Sequence, residues 1–231
     1  MENLRESLDL TLFWEYRAVV LRGLGFNFAV FACAGLAAIG LGLAACLCRL
    51  GRRRTLARLA AGYTEACRSA PEYVLLIWIH YVPPLLLSLM TGIKISFSPF
   101  VSAVIALGLA YSGYLSETFR AGILAVPRGH LDAAAALGMS RHLTLRRIVL
   151  PQAVRHMLPE AMNQAISLFK ATTLVSLIAV PDLMYRVSMI AAQEMRPLPL
   201  YTGAALVYCV LIFGFASTVR LASERWRRRH L

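Results

Sequence analysis

Residues 24–48 read LGFNFAVFACAGLAAIGLGLAACLC, a run of 25 residues without a charge. A helix needs about 20 mostly apolar residues to cross the hydrocarbon core of a bilayer, so this run alone is long enough to span. Four more runs of that length follow: Tyr73–Gly92, Ile95–Ser116, Ala161–Pro181, in which Lys170 is the sole charge, and Leu198–Val219. The second is extended back to about Leu59, where its first turns carry Glu65 and Arg68 three residues apart and Pro71 is expected to kink it. The reading is an all-α membrane protein of one domain, residues 1–231, with five spans at about 24–48, 59–92, 95–119, 160–181 and 198–220 and a long loop at about 121–157.

Composition agrees with this solvent. Hydrophobic residues make up 58% of the chain and the mean hydropathy is +0.62, above the roughly half-apolar makeup of soluble domains. A net charge of +12 raises the question of nucleic acid. The cations are instead grouped at the ends of the apolar runs, as the positive-inside rule requires. Arg49, Arg52, Arg53, Arg54 and Arg58 follow the first run; Arg120, Arg128, Arg141, Arg146, Arg147 and Arg155 follow the third; Arg220, Arg225 and Arg227 to Arg229 close the chain. The other connections hold only Lys94, or Arg186 and Arg196. The expected orientation is N-terminus outside and C-terminus cytoplasmic, with Trp226 to His230 as a membrane-surface anchor and no nucleic-acid partner.

Met1 to Arg22 carries both signs of charge, unlike the positive n-region of a cleaved signal, so the first run is expected to be retained as an anchor. Cys33, Cys46, Cys48, Cys67 and Cys209 include no C-x-x-C pair and read as packing residues, with no metal site. No phosphate loop, zinc motif or nucleophile elbow is present, so an enzyme acting alone is not expected. Five spans without an internal repeat also fit poorly with a self-sufficient secondary carrier.

The loop between the third and fourth runs is the only long connection, and its apolar positions Leu131, Ala134, Leu137, Leu143, Ile148 and Leu150 recur at helical spacing. Two short helices joined at Gly138 to Arg141 are expected. Asp132, Ala133, Ala134, Gly138, Ile148, Leu150 and Pro151 resemble, at every fixed spacing, the E-A-A-x3-G-x9-I-x-L-P loop of the permease subunits of ATP-binding cassette importers, with Asp132 for Glu. Three further segments resemble the polar amino-acid branch of that family. They are Tyr63, Glu65, Arg68 and Pro71, with Ser69 and Ala70 in place of Gly-Thr; Tyr111, Glu117, Arg120, Gly122, Ile123 and Gly129, with His130 in place of Gln; and Leu158, Pro159, Asn163, Lys170, Thr172, Thr173 and Leu174.

The resemblance implies a permease subunit in the bacterial inner membrane, working with an ATP-binding cassette subunit dimer, a second permease and a periplasmic substrate-binding protein. It implies no cofactor on this chain, ATP being bound by the partner subunit. Gly129 and the loop positions above would couple ATP hydrolysis to the membrane helices. A histidine-, arginine-, glutamine- or opine-type solute is expected, and for the second permease a paralogue rather than a second copy. The rival readings are an ion-coupled carrier or channel subunit, and a membrane scaffold or export subunit.

Ser69, Glu160, Asn163 and Gln164 are the substrate-path candidates. Glu160, Asn163 and Gln164 fall on one helical face, where they could meet the ammonium and carboxylate of an amino acid. Two readings of Glu160 stay open, a reader of substrate charge or a cap on a helix starting after Pro159. For Asn163 and Gln164 the alternative is interhelical hydrogen bonding. Lys170 is expected to be structural, snorkelling or paired with an acid such as Glu117. His80 is expected to be a packing residue, and Gly108, Ser112 and Ser116 a close-packing face.

Overall fold

A computed structural model describes residues 11–228, with side chains through residue 218. The charges of residues 1–10 and the anchor side chains Trp226 to His230 lie outside that range. Every regular element among the described residues is helical. In order they are α1 (Thr11–Glu15), α2 (Arg17–Leu50), α3 (Arg54–Ser69), α4 (Glu72–Thr91), α5 (Pro99–Leu124), α6 (Arg128–Ala136), α7 (Arg141–Thr144), a π-helical turn (Leu145–Val149), α8 (Leu150–Ala171), a 3₁₀ segment (Thr172–Ile178), α9 (Leu183–Glu194) and α10 (Pro197–Arg228). Four helices are long and apolar enough to cross a membrane; the bent pair of Arg141–Ile178 and Leu183–Glu194 gives a fifth if counted as one broken span.

Three boundaries differ from the sequence reading. The second span is two helices, because Ala70 and Pro71 are both extended (ψ 126° and 128°), the conformation favoured before a proline ring. The helix N-terminal to that break starts at Arg54 and is amphipathic rather than apolar, so only Glu72–Thr91 qualifies as a span by itself. The second loop helix is not short. It runs from Arg141 through the π turn into α8, and Pro159 lies inside α8, not before a helix. The fourth run is also broken, tightening to 3₁₀ at Thr172 and stopping at Ala179 in the left-handed region (φ 62°).

The chain divides into two compact units. Of the described residues, the first comprises 11–36, 71–108 and 166–218. Its core is Val20, Leu183, Val187, Ile190, Leu200 and Ala204, flanked by Leu12, Phe13 and Tyr16. Gly23 lets α2 approach the turn before α9 so closely that an added Cβ would stand 2.5 Å from the Leu183 nitrogen. Beside it, Asn27 is fully buried on an otherwise apolar helix. Its amide Nδ2 donates to Asp182 Oδ2 (3.1 Å) and to the carbonyl and hydroxyl of Thr172 (3.2 Å each), while its Oδ1 accepts from the Leu183 amide (3.2 Å). Asp182 in turn caps α9 by accepting from the Tyr185 amide at 2.8 Å.

The second unit comprises, of the described residues, 37–70, 109–165 and 219–228. Small residues set its packing. Gly42 touches the α5 backbone at Ser112 and Ser116, Gly113 abuts Thr64 and Cys67 on α3, and Gly122 abuts Ala153 and Met157 on α8. Ser112 and Ser116 are buried, as the close-packing reading requires, and hydrogen-bond Tyr63 (2.5 Å) and Thr64 (3.4 Å). Hydroxyls thus cross between helices where lipid supplies no partner.

Candidate functional site

The loop motif folds into a closed corner. The α6 helix starts after Pro127 and ends at Gly138, whose φ of 68° places it where only glycine is unstrained. The Met139 amide donates to the Ala134 carbonyl and the Gly138 amide to the Ala135 carbonyl, both at 3.0 Å. This doubled closure is the Schellman motif, and it satisfies carbonyls that a helix end otherwise leaves open. One residue on, the Ser140 hydroxyl caps the next helix by accepting from the Leu143 amide at 3.3 Å.

The corner keeps its apolar side chains on the outside. Ala134 is buried, but Leu131, Leu137, Leu143, Leu145 and Leu150 are exposed, Leu137 by 80%. Gly129, Asp132, Ala133 and Pro151 are exposed and Ile148 is half-buried. Leu131, Ala135, Met139, Leu145 and Val149 line a groove between the two arms, with Arg141 and Thr144 at its edge. On the second arm, Gln152 meets His130 (Oε1 to Nδ1, 2.9 Å), so the histidine that departs from the family pattern joins α6 to α8. The corner thus offers an exposed apolar side next to a groove, the kind of surface that helix-in-groove contacts use.

The substrate-path candidates lie on α8, except Ser69, which is exposed at the end of α3. Between residues 160 and 171 the exposed positions are Glu160, Asn163, Ser167 and Lys170, at spacings of three, four and three. They form one stripe along the helix, and all four are polar. Leu168, Phe169 and Ala171 are buried. Gln164, half-buried at the edge of the stripe, donates from Nε2 to Glu160 Oε1 at 2.7 Å. Since Pro159 and Glu160 are interior to α8, Glu160 caps no helix start; that alternative is removed. Ser167 was missed in the sequence, although its spacing from Asn163 and Lys170 was readable there.

Glu117 does not pair with Lys170. It accepts from Arg49 at 2.5 Å and from Arg120 on its own helix. His80 contacts the buried Ser102 hydroxyl through Nδ1 at 2.9 Å, as a packing histidine does. Among the described residues no group of His, Cys, Asp or Glu could hold a metal ion.

Residues 37–228 match the family described as binding-protein-dependent transport system inner membrane component. The arginine ABC transporter permease protein ArtQ of Haemophilus influenzae is 35% identical over 190 residues, covering 82% of this chain and 86% of that protein. The nopaline transport system permease protein NocM of Agrobacterium fabrum is 34% identical, with 80% and 78% covered. A crystal structure of an amino acid ABC transporter with histidines contains a chain that superposes with a TM-score of 0.85 at 27% identity, over 94% of this chain and 99% of that one.

Proposed function

Because this chain belongs to the family of binding-protein-dependent transport system inner membrane components, we propose that it carries a polar amino acid, basic or of the opine type, inward across the bacterial inner membrane. It is a non-enzymatic, membrane-spanning permease subunit of an ABC amino-acid transporter. In this reading the whole chain acts as one transmembrane domain, N-terminus outside and C-terminus in the cytoplasm, and supplies half of a pore completed by a second permease, a paralogue. Two ATP-binding cassette subunits hold and hydrolyse the ATP, and a periplasmic binding protein delivers the solute.

The observation that carries this reading is the corner at Gly138. Its residues match the importer loop, and its exposed leucines and groove give an ATP-binding subunit an apolar surface to grip. Glu160, Asn163 and Gln164 would meet the solute, because a polar stripe on a spanning helix faces water or protein rather than hydrocarbon. ArtQ, an arginine permease by name, and NocM, a nopaline permease by name, support a basic or opine-type solute, while a cystine permease of Bacillus subtilis at 36% identity keeps the wider polar amino-acid class in view. Nothing in these comparisons supports the ion-coupled carrier.

Purification of the tagged chain in mild detergent from its native host tests the assignment. The expected result is an ATP-binding subunit and a second permease in the complex, with ATP hydrolysis that rises when binding protein and the correct amino acid are added. A chain that purifies alone, where a known importer stays assembled, would return the ion-coupled carrier to the front.

A further inference from the structure

We propose that the first half of α3 is a binding surface for anionic phospholipid, with Arg53, Arg54 and Arg58 on the phosphates and Leu56 and Leu59 against the acyl chains. The surface rests on the chain spanning a membrane; that the leaflet is the cytoplasmic one rests on the orientation proposed above.

Arg52, Arg53, Arg54 and Arg58 are all exposed. None of them enters an ion pair among the described residues, where the salt bridges join Arg49 and Arg120 to Glu117. No acid occurs between residues 16 and 64, so four positive charges within seven positions have no local counterion. The first acid of α3, Glu65, stands seven helical residues beyond Arg58, about 10 Å along the axis.

The backbone keeps this cluster at the bilayer surface. The apolar α2, long enough to span, ends at Leu50, and α3 begins at Arg54. The three residues between them reach about 10 Å at most, so the start of α3 cannot leave the end of that helix. Farther along, α3 is fastened to the apolar α5, where Gly113 abuts Thr64 and Cys67 and the Tyr63 hydroxyl meets Ser112 at 2.5 Å. Its first two turns are therefore held where a span meets water.

The faces of the helix suit that place. Thr64 is buried, and Ala57 and Ala60 on the same side are half-buried. Leu56 and Leu59, three apart on the neighbouring strip, are exposed by 43% and 71%. Arg54 and Arg58, four apart, form the polar edge. Leucines at the acyl boundary with arginines above them make the pattern of a helix lying in a membrane interface. A guanidinium offers paired donors to phosphate oxygens. A zwitterionic lipid carries its own cation beside that phosphate, whereas an anionic lipid leaves the charge for the arginines to meet. A negatively charged leaflet is thus selected by charge and not by hydrogen bonding alone.

The test uses the importer complex as purified, reconstituted in phosphatidylcholine vesicles with increasing shares of dibrominated phosphatidylglycerol or of dibrominated phosphatidylcholine. Leu59→Trp adds a fluorophore at the proposed surface, and the quenching of the added emission is followed. Half-quenching is expected at a share of brominated phosphatidylglycerol about fivefold lower than of brominated phosphatidylcholine. Combining Arg53→Gln, Arg54→Gln and Arg58→Gln should bring the two shares together while quenching persists. If that combination does not assemble, Arg58→Gln alone should lower the preference by about twofold or more, and an unchanged ratio overturns the proposal. Equal shares with the arginines in place also overturn it. Quenching by neither lipid overturns it too, and assigns the face to a protein partner. Both leaflets carry the brominated lipid, so these results do not depend on orientation, and the permease reading fails separately, through the composition of the purified complex.

Discussion

Asn27 Nδ2 lies 3.1 Å from Asp182 Oδ2, both side chains fully buried, and joins the middle of α2 to the turn that opens α9. The amide also holds Thr172 at the start of the 3₁₀ segment, so one side chain ties that start to the turn that opens α9. Replacing Asn27 by Leu would leave the buried carboxylate without that donor, a loss of about 1–3 kcal/mol. The expected outcome is a lower thermal midpoint of the detergent-purified protein, followed by loss of monodispersity. Adding Asp182→Leu to Asn27→Leu should recover part of the loss, because two apolar groups leave no orphaned charge.

At Gly138 backbone strain and added charge can be separated. An added Cβ would meet nothing within 4 Å, so the penalty of a side chain there is the left-handed backbone alone, about 1–2 kcal/mol. Gly138→Val should open the corner and uncouple ATP hydrolysis from uptake. Gly138→Asp, which the left-handed region tolerates better, should show the same defect only if a charge at the tip blocks docking. Parallel assays of uptake, hydrolysis and co-purifying ATP-binding subunit distinguish the two; normal uptake in both variants would remove the corner from the coupling machinery.

Gly113→Ala tests the close approach of α3 to α5. The new Cβ would stand 2.9 Å from Cys67 Cβ and 3.0 Å from the Thr64 carbonyl oxygen, and overpacking of this kind typically costs about 1–3 kcal/mol. A thermal midpoint clearly below wild type is expected. Gly62→Ala, on the same α3 but with open space around it, should raise the midpoint slightly, since alanine is the better helix former by about 0.5–1 kcal/mol.

Glu160→Gln asks whether that carboxylate reads substrate charge. Uptake of L-arginine by the reconstituted importer should fall by about fivefold or more, and uptake of a neutral amino acid by much less, since the variant keeps an acceptor for Gln164 and loses only the charge. Equal losses for both solutes would limit Glu160 to its bond with Gln164.

Apolar run length and the positions of glycine made most of this architecture readable before any coordinates. Uncharged runs located the long apolar helices, and Gly138 fixed the corner because its left-handed backbone has few other occupants. The breaks were harder. Pro71 was visible but read as a kink; the extended Ala70 before it makes a full stop, and α3 is then free to be amphipathic. Pro159 misled in the opposite direction, since a proline within α8 is tolerated and no helix begins there. The Asn27 network was out of reach because residues 145 and 155 positions apart meet through a buried amide, and periodicity carries no trace of such a pairing. The pair of Arg49 and Glu117 was out of reach for the same reason, its partners lying 68 positions apart in sequence.

The two 3.0 Å closures at Ala134 and Ala135 and the serine cap at Ser140 leave the corner between α6 and α7 with its backbone already arranged. Whatever seats on Leu131, Leu137 and Leu145 meets a shaped, rigid lever rather than a chain that must first be ordered, so little of the association free energy is spent on ordering. A single run of helical turns leads from Arg141 through the π turn into α8, where the polar stripe begins, so the corner and the stripe share one continuous backbone.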